Sequence, residues 1–328
     1  MTHRSCPENG TWCLSAAACC TRFMRYPDDM NALVEVIADT QNADGGWGFL
    51  QGRTSNTECT SLCLLALESL KSARPEASVG RAVEWLVRRQ HADGSWPLSD
   101  SSTHGSWTTA LAIIALSRFP QYYEKTVSAT HWLLKQEGRT PGLLARLISV
   151  FFSRTASVEL DPTLVGWSWH PKTFSWVEPT SYALIALKKV RSSLSRTDMI
   201  ERIHQGELMI YDRMCEGGGW NYGNSKVLGE TLWPYPDVTA VALIALQDRR
   251  SNEANQESLQ ALQKMMRQTP SGLALAWGSI CLSIYDENTA EWQRQIMTQF
   301  QATEFLGEVK TVALALLALS SDMRAFRI

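Results

Sequence analysis

Arg81-Ala-Val-Glu-Trp85-Leu-Val-Arg-Arg-Gln90-His-Ala-Asp93-Gly94-Ser-Trp96 brings an amphipathic helix to a Gln, turns on a Gly and lands on a Trp. Shortly after it comes Thr109-Ala-Leu-Ala-Ile-Ile-Ala-Leu116, apolar all round behind its leading Thr. A helix that is apolar on every side has to be surrounded by protein. The first helix has a wet face and the second has none. Together they form one unit, and the rest of the chain reads as variations on it.

Working outward, helix and turn recur as Ile37-Ala-Asp-Thr-Gln41-Asn-Ala-Asp44-Gly45-Gly46-Trp47. The helix recurs alone as His131-Trp132-Leu-Leu-Lys-Gln136, and the turn alone as Glu216-Gly217-Gly218-Gly219-Trp220. The apolar half recurs as Thr60–Leu67, Thr180–Leu187 and Thr239–Leu246, with weaker copies at Leu275–Leu282 and Val312–Leu319. Six apolar helices, each backed by an amphipathic one, cannot bury their faces as isolated repeats. Closure into a double ring supplies the missing core. The predicted fold is an all-α (α/α)6 toroid, residues 1–328 forming one domain. Gly45, Gly46 and Gly94 permit the reversal after a helix C-terminus, and Asp44 and Asp93 bond the local backbone there. Trp47, Trp96 and Trp220 are predicted to wedge between helix pairs. Pro141–Pro162 interrupts the third repeat, so a lid or membrane-contacting insertion is expected at 139–165. Its segment Leu143–Phe152 is strongly apolar, flanked by Arg139, Arg146 and Arg154.

Composition excludes several classes. Lys and Arg total 31 against 33 Asp and Glu, a net charge of −2, so there is no electrostatic footprint for nucleic acid. The hydrophobic share of 45% is that of a globular protein. The longest unbroken apolar run, Val312–Leu319, falls far short of the about 20 residues that span a bilayer. The eight cysteines form no CxxC pair, which fits a reducing compartment. Trp12–Cys20 is short, apolar and broken by Ser15, without the charged start or cleavage site of a signal peptide. The expected location is the cytoplasm, with peripheral membrane contact admitted. Trp, at 13, outnumbers Phe at 9 and Tyr at 8, an inversion that asks where the extra indoles go.

The stretch Arg81–Trp96 closely resembles the QW repeat of squalene-hopene and oxidosqualene cyclases, and Gln41–Trp47 resembles the same repeat in protein prenyltransferase β-subunits. Gly166-Trp-Ser-Trp169, Ser175-Trp-Val-Glu-Pro-Thr180 and Gly217–Gly223 look like small bacterial single-domain members of this superfamily. Class II cyclases, the resemblance implies, protonate an alkene or epoxide with an Asp of a D-x-D-D-T-A segment. They then guide the carbocation through an aromatic-lined cavity. Pro236–Ala240 aligns with that segment and puts Asp237 on the proton-donating position, while Tyr235 and Val238 replace the flanking acids. The β-subunit likeness implies zinc on Asp-x-Cys and a His. Here Glu58 and Cys59 are adjacent and no His leads an apolar helix, so no zinc site is expected. Asp28-Asp29 lacks the third Asp of a magnesium motif, and the thioester sequence of complement-type toroids is missing. No metal and no cofactor is expected.

Counting back two residues from each leading Thr puts Glu58, Trp107, Glu178 and Asp237 at one mouth of the ring, with Lys310 at the aligned place in the last repeat. Pro179 suits a first helical position, which makes Glu178 the expected N-cap. The acids either complement helix dipoles or form a partly buried cluster with raised pKa. Trp107, Trp167, Trp169, Trp176 and Trp233, with Tyr235, gather near the apolar-helix starts, where rings stabilise cations or line an apolar site. His104 just precedes one of these helices and reads either as a structural residue or as an acid–base group.

The first functional expectation is a terpene cyclase-like enzyme: acid-initiated cyclisation or isomerisation of an apolar isoprenoid, with Asp237, Glu178 or Glu58 as acid. A single ring leaves its mouth open to water that quenches a carbocation, so the insertion, a homodimer partner or a second protein is expected to cover it. The alternatives are a non-catalytic toroid binding an apolar ligand or partner protein, and an (α/α)6 carbohydrate-active enzyme with two mouth carboxylates.

Overall fold

The apolar stretch that opened the sequence reading forms a helix, Thr108–Leu116, in which every residue is buried. In the computed structural model the described residues are 26–70, 74–138, 160–161, 163–194, 196–320 and 322–328. Nearly all of the insertion expected at 139–165 therefore lies outside the described residues. Twelve α-helices run through the described residues. The six inner ones are α2 (Thr57–Glu68), α4 (Thr108–Leu116), α6 (Val177–Val190), α8 (Pro236–Ala245), α10 (Gly272–Ile284) and α12 (Val309–Leu319). The six outer ones are α1 (Tyr26–Asp39), α3 (Glu76–Arg89), α5 (Tyr123–Leu134), α7 (Thr197–Asp212), α9 (Glu253–Gln268) and α11 (Ala290–Thr303). On α3 the buried face is Val79, Ala82, Val83 and Leu86, while Arg81, Glu84 and Arg88 face water, the stripe of an outer helix.

Each inner helix packs on the next, and α12 packs back on α2, so the ring is closed. Helices α3, α5, α7, α9 and α11 lie on the inner helix that precedes them, and α1 lies on α12. The fold is the (α/α)6 toroid. A two-stranded ribbon, Lys226–Val227 with Glu230–Thr231, stands in the α7–α8 connection.

The Gln-Gly-Trp turns stitch the unit together. Gln41 Nε2 donates to Gly45 O at 2.9 Å and to Ser78 O of the next outer helix at 2.9 Å. Gln90 repeats this with Gly94 O at 3.0 Å and Lys125 O at 2.8 Å. Gly94 has a φ of +92°, and a Cβ there would lie 2.5 Å from Ser128 Oγ, so only glycine fits. Trp47 takes a hydroxyl acceptor from its inner helix, Thr60 Oγ1, on its backbone N–H, and its indole N–H donates to Ile37 O at 2.7 Å. Trp96 does the same with Thr109 and Leu86, and Trp220 with Thr239 and Ile210. All three rings are fully buried. Each such bond stabilises by about 1 kcal/mol net and costs more than that to leave unmade.

The inner helices run one way. Residues at the starts of α2, α6, α8 and α12 converge on one mouth, whereas the ends of α4, α6, α8 and α10 converge on the tail 322–328. Lys189, near the end of α6, donates to Arg324 O at 2.7 Å and to Arg327 O at 2.9 Å. Gln247, after α8, donates to Phe326 O at 2.9 Å, and Arg327 reaches Ser283 O of α10 at 3.1 Å. Arg118, after α4, stands 3.9 Å from Asp322. The tail crosses beneath the ring and turns Phe326, 1% exposed, into it.

Candidate active site at one mouth of the ring

Glu58, Glu178, Asp237 and Lys310 each occupy the second residue of an inner helix, α2, α6, α8 and α12. This corrects the expected capping role of Glu178. The N-cap positions belong to Asn56, Trp176, Tyr235 and Glu308, and of these Asn56 caps with its side chain, accepting from Cys59 N–H at 2.8 Å. Two residues inside the cap, the acids gather at a ring mouth. Glu58 is 5% exposed and pairs with Lys310 Nζ at 2.7 Å. A charge so buried is tolerable only with such a partner.

Glu178 has no such partner. Part of its side chain reaches solvent, but protein surrounds the rest. Burial pushes its carboxyl up to about 8, against the pull of Lys310 and with the push of Glu58 and Asp237. At neutral pH the group therefore holds its proton. Asp237 is partly exposed and accepts a long hydrogen bond from Tyr222 Oη, 3.4 Å. Burial first, then Asp237 and Glu178, pushes the Tyr222 phenol up to about 12.

The aromatic residues divide into three roles. Trp167 lines the same crevice as Trp107 and Trp169 and also holds the third repeat together. Its backbone N–H bonds Thr180 Oγ1 at 2.9 Å, its indole N–H bonds Leu133 O at 2.8 Å, and the Arg202 guanidinium covers its face at 4.1 Å. Those are the bonds of Trp47, Trp96 and Trp220, so Trp167 is the wedge of the third repeat. Trp107, Trp169 and Trp176 border the mouth. Trp107 stacks on Tyr182 at 5.4 Å and meets Trp169 edge-on at 4.9 Å, and Trp176 lies over Gly223. Trp233, 84% exposed, and Tyr235, 50% exposed, stand on the rim instead of inside it. His104 is exposed in the α3–α4 connection, where its carbonyl accepts from Ser102 Oγ at 3.1 Å.

Below the acids the axis is filled. Tyr182, one turn beneath Glu178, is fully buried, and its hydroxyl lacks a hydrogen-bond partner. Its ring meets Trp277 of α10 at 6.1 Å, and Trp277 meets Phe326 at 5.1 Å. Helices α6 and α10 are separated by α8 in the ring, so this column crosses the interior. Burial, reinforced by Glu178, Glu58 and Asp237, holds the Tyr182 phenol well above its ordinary range. The crevice where Trp107, Trp169 and Pro179 meet has room for about 20 Å³, the size of one water. In place of an open aromatic-lined cavity, the buried Tyr182 ring closes the axis beneath the acids. A groove of about 960 Å³ opens at the opposite end, beside Asp286, Gln293, Arg324 and Arg327. There Arg327 pairs with Asp286 and Arg324 with Asp322.

Sequence reasoning placed Lys310 at this level but missed its pairing with Glu58, and it missed Tyr222 and Tyr182. Tyr182 was legible as the residue one turn after Glu178, on the same face of the helix.

Residues 6–146 match the prenyltransferase alpha-alpha toroid domain family. No curated protein matches the chain in sequence. Among solved structures, the type II terpene cyclase MstE from Scytonema superposes with a TM-score of 0.58 at 16% identity, over 92% of this chain and 98% of its own. The GH76A alpha-1,6-mannanase of Salegentibacter sp. HEL1_6, bound to alpha-1,6-mannotriose, superposes with a TM-score of 0.59 at 10% identity, over 92% and 100%. An alpha-amylase from Clostridium perfringens gives 0.59 at 9% identity, over 89% and 97%. At such identities the likeness is one of fold. The first part of the chain thus resembles the prenyltransferase alpha-alpha toroid domain, and the closed ring shares the toroid fold of these structures.

Proposed function

We propose that the acid mouth carries out an acid-initiated isomerisation or cyclisation of an isoprenoid, with Glu178 as the proton donor. The observation that carries this is a carboxyl that stays protonated near pH 7 beside Trp107, Trp169 and Tyr182. A carboxyl with a pKa near the working pH is suited to deliver a proton. Transfer from Glu178 to one carbon of an alkene breaks the O–H bond, uses the π pair for the new C–H bond and leaves a tertiary cation on the other carbon. Ring faces stabilise that cation, and its loss of a neighbouring proton to Asp237 or to the Glu178 carboxylate ends the reaction. Asp237, the donor by resemblance, becomes the accepting base in this scheme. Glu58 stays fixed by Lys310, and its charge helps to keep the proton on Glu178.

The comparison with MstE supports the scheme in two ways. A ring of the same length is called a type II terpene cyclase, and a variant of it holds geranylgeranyl dihydroxybenzoate. The rim also fits an apolar ligand. Phe49, Leu50, Phe174, Leu228, Leu232, Trp233, Tyr235 and Leu306 are all exposed on the connections that lead into inner helices. In this proposal that rim rests against a membrane surface from which the substrate enters, and the contact keeps water away from the acid mouth.

The test is incubation with neutral isoprenoid alkenes in D2O and mass spectrometry of the products. The wild type incorporates one deuterium per product and Glu178→Gln gives none; equal labelling by the variant, or no labelled product from any alkene, removes the proposal. A second reading, a carbohydrate-active enzyme, is favoured by the exposed Trp233 and Tyr235 beside several carboxyls. Release of reducing sugar from an α-mannan, lost in Glu178→Gln, would put it first.

A further inference from the structure

Where α4 and α6 end, away from the acids, a cavity of about 270 Å³ opens beside the start of α5. Phe119, Tyr123, Val190 and Leu194 give it apolar sides, and Arg118 and Lys189 also line it. Apolar walls with a few converging polar groups are the make-up of a small-molecule site. The two cations are short of partners. The Arg118 side chain is 16% exposed, and its ion pairs are long, 3.7 Å to Glu68 and 3.9 Å to Asp322, beyond hydrogen-bond range. Its Nε is buried without a hydrogen-bond partner among the described residues. Each of those carboxylates is taken at shorter range by another arginine, Glu68 by Arg74 at 2.6 Å and Asp322 by Arg324 Nε at 2.9 Å. Lys189 spends two of its three N–H donors on the carbonyls of Arg324 and Arg327, neither of which brings a negative charge. Burial first, and then the Arg118 charge, pulls the Lys189 ammonium down to about 8, against the opposing pull of Asp322. Two partly buried like charges side by side repel each other, and an anion between them relieves both.

We infer that this cavity binds a small organic carboxylate, with its charge on Arg118 and Lys189 and its apolar body against Phe119, Tyr123 and Leu194. A guanidinium matches the two oxygens of a carboxylate, and the ammonium has its third N–H to give. Each methylene that enters the cavity adds affinity by leaving water. The site stands apart from the acid mouth, which lies at the opposite end of the inner helices, so it holds whether or not the reaction proposed there is correct.

The experiment is titration calorimetry at pH 7 and low ionic strength with hexanoate, hexanamide, acetate and inorganic phosphate. The proteins are the wild type, Arg118→Gln, Lys189→Gln, Lys189→Arg and Leu194→Trp, which fills the cavity without changing a charge. Each is first shown to unfold in a single cooperative transition. Hexanoate binds the wild type at least tenfold tighter than the other three probes. Arg118→Gln and Leu194→Trp each weaken it at least tenfold, as does Lys189→Gln, and Lys189→Arg restores most of the affinity. If Lys189→Gln releases the tail and does not fold, Arg118→Gln and Leu194→Trp decide the matter. Hexanamide binding as tightly as hexanoate would reveal an apolar crevice only, and acetate or phosphate doing so would reveal a surface charge only. Either result overturns the inference. Hexanoate binding that survives both Arg118→Gln and Leu194→Trp overturns it as well, and so does a wild type that binds no hexanoate.

Discussion

Replacing Glu178 with Gln tests whether the mouth really keeps a carboxyl protonated, independently of any substrate. A carboxyl whose folded pKa lies above its unfolded value lends stability that is complete below the unfolded pKa, near 4.5, and is lost as pH rises through the folded pKa, about 8. The full displacement from 4.5 to about 8 corresponds to about 5 kcal/mol, at about 1.4 kcal/mol per pH unit. Part of the Glu178 side chain reaches solvent, so screening should leave about 2–3 kcal/mol of that ceiling. Glutamine is nearly isosteric with the protonated acid, and it cannot ionise. The two proteins should therefore be about equally stable at pH 5, diverge steadily as the pH rises towards 8, and stay apart by a constant amount above it. Urea unfolding at a slope of about 3 kcal/mol/M would show the wild-type midpoint falling by about 0.7–1 M relative to Glu178→Gln between pH 5 and pH 9. Midpoints that stay parallel across that interval would mean that Glu178 ionises as an ordinary surface acid, and the proton-donor argument would lose its basis.

Lys310→Met should destabilise the ring by about 3–5 kcal/mol, since it leaves the Glu58 charge buried and alone; urea unfolding of the double variant Glu58→Gln with Lys310→Met should recover most of the loss. Trp167→Phe should lower stability by about 1–3 kcal/mol by removing the indole hydrogen bond to Leu133 O and part of a buried ring. In the same denaturation assay the loss should match that of Trp220→Phe. Gly94→Ala forces a left-handed backbone and a 2.5 Å approach to Ser128, and should lower the urea-derived stability by at least about 2 kcal/mol.

The ring was legible because its signals are local. A Thr-led helix without a polar face has to be inner, and a Gln followed closely by Gly and Trp has to turn. Trp167 escaped because its partner helix lies far back in the chain. Gln136 and Trp167 are separated by the long third-repeat connection, and Arg202 takes over the stitch by bonding Gln136 O at 3.0 Å. The signal that would have found it lies on the other side. Thr180 follows Trp167 by 13 residues, as Thr60 follows Trp47 and Thr109 follows Trp96. The convergence of Glu58, Glu178, Asp237 and Lys310 followed from the repeat register. Their pairing did not, because which acid takes the one lysine depends on how helices α2 and α12 meet at the closure. The filled axis was hidden for a different reason. When a helix is apolar all round, periodicity cannot tell a residue that faces the axis, such as Trp277, from one that faces an outer helix. The tail was too short to carry any pattern at all.

Closure by α12 has a consequence for the making of the protein. Helix α2 is synthesised early, yet one of its two inner neighbours is α12, and α1 has its main packing partner there as well. At about 5–20 residues per second, roughly 250 residues must follow α2 before α12 emerges, a delay of about 12–50 s. Throughout that time a nascent chain presents an open apolar flank, a natural target for a chaperone. A circular permutant opened at Ser251, with the original ends joined by a flexible linker, would move that seam to another pair of helices. Every ring contact would be kept, so the finished toroid would be about as stable while its birth became a different race against aggregation.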